Sequence, residues 1–367
     1  MKQGIQTASY PQHFFESHTV QKITALWALN ESALGGVLHI FRIPFTGLIV
    51  GSVSVLLITL IACFSDKRGI ILRSTILVLI VKGMVSPHTP VNAHVAVFLQ
   101  GVLGEFFFGL FKIRLAAFLL GFSALLLSGL QKILFTTIVF GMSVWKSIDL
   151  FGNYVISLIP FISNPEPALP ISLSLIALYL LLHTGAGITV GLKAPLLYSK
   201  LNADPALSFS GFPAYSLKNN EPDIPIRKHK GFFRRLSGQV LFIIAGIIIV
   251  LSYVFPVFEK SQGAEAAFMI IRSVFIMLIW FYAAGPFLMK LMNKYLNRKK
   301  NTYVLEIQNI IETLPSMKKI IRQSWQTSAG FKGLGRLNKF LFYLMVNLLA
   351  TPIRVTEEKQ HIITEQT

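Results

Sequence analysis

The chain has 367 residues and a net charge of +18, with 53% hydrophobic and 14% charged residues and a mean hydropathy of +0.62. An ordinary soluble domain is roughly a quarter charged, so this composition excludes a soluble enzyme and points to an all-α polytopic helical membrane protein. A single cysteine, Cys63, excludes an intramolecular disulfide and a cysteine-cluster metal site. Residues 1–190 hold 11 Lys or Arg against 6 Asp or Glu, and residues 191–367 hold 23 against 10. The basic stretches separate or follow apolar ones. That is a topology signal before it is a ligand signal, because short loops rich in Lys and Arg stay in the cytoplasm.

Residues 1–17 are polar, lack a signal-peptide core and read as a cytoplasmic tail. A first span from His18 to about His39 contains Asn30 and Glu31, and a second, strongly apolar one runs from beyond Pro44 to Cys63. Asp66, Lys67, Arg68 and Arg73 then mark an inside loop. The span 69–86 ends at Ser86-Pro87-His88-Thr89-Pro90, where two prolines forbid helix continuation, on the outside. A fourth span, 92–112, closes at Lys112 and Arg114. The tract 115–146 is too long for one untilted crossing and reads as a crossing plus an outer helix, with no break fixed by the pattern. A linker with Pro160, Pro165 and Pro167 leads to the span 168–192.

This makes 18–192 a six-helix membrane module, followed by a basic cytoplasmic linker over 193–237. A second module, 238–351, has spans at 238–258 and 266–290 and an apolar segment at 336–351. Between them Val304, Ile307, Ile310, Ile311, Leu314, Met317, Ile320, Ile321 and Trp325 recur at three- and four-residue steps, an amphipathic helix that Pro315 is expected to bend or split. The run 298–300 reads as a positive inside anchor and 352–367 as a polar tail.

Enzymatic motifs are missing. With no Gly-Lys dipeptide, the chain has no Walker A loop, and it contains no HExxH. The expectation is a non-enzyme without a cofactor of its own. Gly47-Leu-Ile-Val-Gly51 reads as a helix-packing motif.

The informative residues are polar groups placed at or beneath the outer surface. Trp27, Asn30 and Glu31 lie in the first span, with His39 and Arg42 at its end; His88, Asn92 and His94 follow the third span, and Gln100 and Glu105 lie in the fourth. His94 and Glu105, eleven residues apart, share a helix face. Ionisable groups inside membrane spans are costly, which makes Glu31 and Glu105 functional candidates. The alternative is that either pairs with Arg42 or Lys82 merely to hold helices together. His39, His88 and His94 form a candidate metal set, since imidazole suits transition-metal ions; backbone-bonded loop histidines are the alternative. Lys82 and Arg272 read as snorkelling to the interface.

Six crossings with cytoplasmic ends, together with Gly35–Gly51 (GGVLHIFRIPFTGLIVG) and Lys82–Glu105 (KGMVSPHTPVNAHVAVFLQGVLGE), resemble the substrate-capture (S) component of energy-coupling-factor (ECF) transporters. The string 311–336 (IETLPSMKKIIRQSWQTSAGFKGLGR) is similar to part of that family's transmembrane coupling (T) component. The resemblance implies a multi-pass protein of a bacterial plasma membrane, both termini cytoplasmic. It would capture a small vitamin-like solute or transition-metal ion at its outer face, through Trp27, Asn30, Glu31, His39, Arg42, His88, Asn92, His94, Gln100 and Glu105. It also implies that ATP is used by a separate P-loop ATPase pair docked near Met317, Lys318, Lys319, Arg322, Lys332 and Arg336. The alternative is a non-transporting membrane scaffold whose basic regions recruit a cytoplasmic partner or anionic lipid.

Overall fold

The computed structural model describes residues 12–40, 45–86, 89–158, 170–203 and 262–350, and side chains within them except at 12–17, 37, 39, 40 and 262–269. The described residues are all helical, without strands. In chain order they form α1 (Gln12–Leu29), a π-helical turn (Asn30–Leu34), α2 (Gly35–Ile40), α3 (Thr46–Phe64), α4 (Ile70–Val85), α5 (Val91–Leu110) and α6 (Ile113–Phe140). There follow α7 (Ser143–Ser157), α8 (Ile171–Ala203), α9 (Gln262–Ile279), a second π turn (Trp280–Ala284), α10 (Gly285–Lys300), α11 (Val304–Thr327) and α12 (Gly333–Ala350). Among the described residues, five helical segments are long and apolar enough to cross a membrane: α3, α5, α6, α8 and the stretch Ile270–Lys300. The expected span 238–258 lies outside the described residues.

Two compact units make up the chain. The first draws on 1–125, 184–216 and 295–367, the second on 126–183 and 217–294. In the first, α1 packs on α3, α4 and α11, while α5 packs on α3 and α4. Uniformly apolar helices without a polar face are enclosed on all sides, and this is the case for Ser54 to Ile61 of α3 and Ser74 to Lys82 of α4. Hydroxyls in these interiors are satisfied by their own helices: Thr59 bonds Val55 O and Thr75 bonds Ile71 O.

Small residues set the closest approaches. A Cβ at Gly104 would lie 2.7 Å from Ile58 Cγ2, and one at Gly101 would overlap the Thr75 side chain. Where α6 meets the C-terminal half of α8, Gly187 and Gly191 face the carbonyls of Gly121 and Ala117 so closely that neither tolerates a Cβ. Both helices carry small-xxx-small sequences at this crossing, Ala117 with Gly121 and Gly187 with Gly191, which let backbones touch. By contrast, Gly47 is exposed, and Gly51 is the member of its pair that packs, against Gln100 and Leu125.

Several boundaries differ from the sequence pattern for local reasons. The long tract after Arg114 breaks at Gly141, whose φ of 73° suits glycine and turns the chain from α6 into α7. α8 continues through Pro195 to Ala203 rather than stopping at 192. α11 is not split at Pro315, which lies inside the helix; on either side of it Thr313 Oγ1 donates to Asn309 O and Ser316 Oγ donates to Thr313 O at 2.7 Å. Its buried stripe, Ile307, Ile310, Leu314 and Met317, faces the bundle.

Candidate functional site: a buried polar cluster

α1 passes through the first unit with Trp27 and its neighbours fully enclosed, and then widens into the π turn, which turns Asn30, Glu31 and Ser32 all into the interior. Such turns are frequent at functional sites because they break the regular ladder. Here the turn carries the charge. Glu31 Oε2 lies 2.8 Å from Lys82 Nζ of α4, with both side chains about 5% exposed or less. Ser54 Oγ of α3 donates to Glu31 Oε1 at 2.6 Å and accepts from Asn30 Nδ2 at 3.1 Å. Asn30 Nδ2 also donates to Val50 O at 3.1 Å, which fixes its amide orientation, while Lys82 Nζ reaches Ala93 O of α5 at 3.4 Å.

A carboxylate and an ammonium removed from water need each other: the desolvation cost of either alone exceeds what scattered dipoles return. The pair is neutral as a unit, and with Ser54, Asn30 and Ala93 it ties α1, α3, α4 and α5 together. Lys82 therefore does not snorkel, as its place near the end of α4 suggested. Its stem would have to leave the only carboxylate within reach in this network.

In the same unit, four wholly buried atoms have no hydrogen-bond partner among the described residues: Trp27 Nε1, Asn30 Oδ1, His94 Nε2 and Gln100 Oε1. Trp27 and His94 have no exposed surface at all. His94 Nδ1 is held by Pro90 O at 3.3 Å, which aims Nε2 away from its own helix turn. Gln100 lies against the small surface of Gly51, its Nε2 3.3 Å from where a Cβ would stand. Buried polar groups are bonded in the great majority of cases, so four open atoms in one unit need an explanation. One is a donor, two are acceptors, and His94 Nε2 is either, depending on its tautomer.

The other sequence candidates are spread over the unit. Glu105 lies at the opposite end of α4, where its carboxylate accepts from the Gly69 and Leu72 amides and caps that helix. His94 and Glu105 do share a face, but eleven residues of helix separate them by about 16 Å along the axis. Asn92 Oδ1 accepts from the Ala93 amide at the start of α5. Arg42 and His88 lie outside the described residues, as does the His39 side chain. Of the candidate metal set only His94 is thus described, and among the described residues no three His, Cys, Asp or Glu side chains gather as metal ligands.

Of the expected docking residues, Met317 is fully buried against the bundle, whereas Lys318, Lys319, Arg322 and Lys332 are exposed. Arg336 stacks over Trp325 with its guanidinium 4.1 Å from the ring centroid. Arg272 donates to Phe140 O and so closes the C-terminus of α6 instead of snorkelling. Ser54 is the member of the cluster that sequence reasoning passed over, whereas the pairing of Glu31 with Lys82 is the alternative the sequence offered beside snorkelling. The need of a buried Glu31 for a cation was the available signal for Lys82.

Comparison with protein-family models, with curated proteins and with solved structures found no match for this chain.

Proposed function

We propose that the first unit captures a small polar solute at the Glu31–Lys82 cluster, within a multi-pass membrane uptake protein energised by a separate ATPase. The observation that carries this reading is the set of four open, buried hydrogen-bonding atoms in the same unit as an ion pair that is already neutral. Polar groups at membrane depth face protein interiors or solute pathways, because lipid gives them nothing in return. A solute that offers an acceptor to Trp27 Nε1 and donors to Asn30 Oδ1 and Gln100 Oε1 supplies the missing bonds. The ion pair in this reading is a positioning element. It holds the π turn against α4 and leaves the neighbouring amides and rings to recognise the solute.

The wider architecture of this proposal is a six-crossing capture module with both termini in the cytoplasm of a bacterium, and a second module through which the ATPase acts. Support comes from five membrane-capable helices and from the basic, exposed side chains of α11 and the turn after it.

The test is to immobilise the full chain in nanodiscs, pass a metabolite extract over it and identify retained molecules by mass spectrometry. The expected result is a polar organic molecule retained by the native chain and lost from both Glu31→Gln and Gln100→Met. An identical set of retained molecules in all three proteins would contradict the site.

A further inference from the structure

α7 is an amphipathic helix turned inside out. Its polar and small side faces the protein. Trp145 Nε1 donates to Thr137 Oγ1 of α6 at 3.0 Å, and Asp149 accepts from the Ser172 amide at 2.6 Å and from Ser172 Oγ at 2.8 Å, capping α8. Gly152 lies so near Ile171 that a Cβ would come within 2.5 Å of its Cδ1. The other side carries Leu150, Phe151, Tyr154, Val155 and Leu158, spaced at i, i+1, i+4, i+5 and i+8 on one face, and all are exposed; Phe151 is 69% exposed. No residue of α7 is buried.

A helix in water presents the reverse arrangement, with its apolar stripe inward. Exposed apolar area of this extent marks a contact with something apolar. Its neighbours indicate what that is. The helices that α7 bonds to, α6 and α8, are long enough to cross a membrane and expose Leu134, Ile138 and Leu173 as well. With 28 residues, α6 is about 42 Å long, which exceeds a hydrocarbon core of about 30 Å. Its end at Phe140 therefore reaches headgroup level, and α7 begins three residues later, after the Gly141 turn.

We infer that α7 is an interfacial anchor that lies along the bilayer surface, with Leu150, Phe151, Tyr154, Val155 and Leu158 sunk among lipid acyl chains. The inference rests on reading α6 and α8 as membrane spans, and it is independent of the solute site. Tyr154 suits that depth, since its ring is apolar and its hydroxyl can remain at headgroup level. Because Asp149 caps α8 from the polar side, the depth of α7 in the bilayer sets the position of the α8 N-terminus.

The test uses the full chain with Cys63 replaced by Ser, reconstituted in phosphatidylcholine vesicles and labelled with an environment-sensitive fluorophore at Phe151→Cys, at Tyr154→Cys or at Lys146→Cys, an exposed charged position outside the apolar set. Nitroxide-bearing lipid is expected to quench the labels at 151 and 154 several-fold more than that at 146, and aqueous iodide to show the opposite order. Strong iodide quenching at all three positions would overturn the inference by placing the face in water. Resistance of 151 and 154 to both quenchers would overturn it by placing that face against protein, as in a second copy of the chain. Two independent apolar-face positions guard against one variant failing to fold.

Discussion

The two ends of α4 each carry an ion pair, and they are built for different conditions. Near its C-terminus, Lys82 and Glu31 are enclosed, in a unit that also holds four open, buried hydrogen-bonding atoms. Near its N-terminus, Arg73 meets Glu306 of α11 with half of the Arg73 side chain exposed, and the pair lines a cleft of about 280 Å³ that mixes polar residues such as Thr24 and Asn309 with Val20, Ile70 and Leu77. Exposed pairs contribute little because water solvates either charge once the pair opens. Buried pairs contribute little as pairs, yet they penalise the loss of one member severely. One helix thus carries at one end a pair that organises a site, and at the other a pair that merely joins α11 to the bundle.

That difference is most sharply broken by Lys82→Met, which leaves the Glu31 carboxylate buried without a cation. The expected loss is about 3–5 kcal/mol, read as a large fall in the thermal unfolding midpoint in detergent. In the double variant Glu31→Leu with Lys82→Met most of that loss is regained, since an apolar pair of similar volume is often neutral. A double variant as unstable as the single would show that the pair is not the source of the penalty.

A second prediction concerns packing rather than charge. Gly187→Ala pushes a Cβ against the Gly121 carbonyl, and backbone at that contact has no rotamer with which to retreat. A cost of about 1–3 kcal/mol is expected, measured in the same melts. Gly185→Ala, two residues away with open space around its Cα, is the control and should be nearly silent.

The smallest effect belongs to the other end of α4. Arg73→Ala should cost no more than about 1 kcal/mol, and the difference from the native chain should shrink further in high salt. An Arg73→Ala loss equal to that of Lys82→Met would mean that burial does not separate the two pairs.

Much of this cluster was legible in the sequence, because polar residues in apolar spans are conspicuous: Trp27, Asn30, Glu31, His94 and Gln100 stand out against their surroundings. Glu105 stood out equally, yet it caps a helix at the opposite end of α4. Helical period reports the face a residue occupies and says nothing of its height along the axis. For Lys82 the sequence left snorkelling and pairing with Glu31 both open, since a position near a helix end is compatible with either and the partner's location decides between them. The Gly187–Gly191 motif was present in the pattern but gave no indication that Ala117 and Gly121 were its counterpart. The amphipathic face of α11 was likewise readable, whereas its docking on α1 and α4 was not, because an apolar stripe fits any apolar surface.

The central claim is that the open atoms beside the ion pair serve a solute and not the fold, and Gln100→Met tests it most directly. The substitution keeps length and volume close to those of glutamine while removing the unpartnered Oε1. Replacing an unsatisfied buried group by an apolar one of similar shape is neutral or stabilising. The measurement is the unfolding midpoint of the solute-free protein taken together with retention of its solute from a metabolite extract. The account predicts a midpoint equal to or above that of the native chain and a clear loss of retention. A lower midpoint with unchanged retention would contradict it, by making Gln100 part of the scaffold alone.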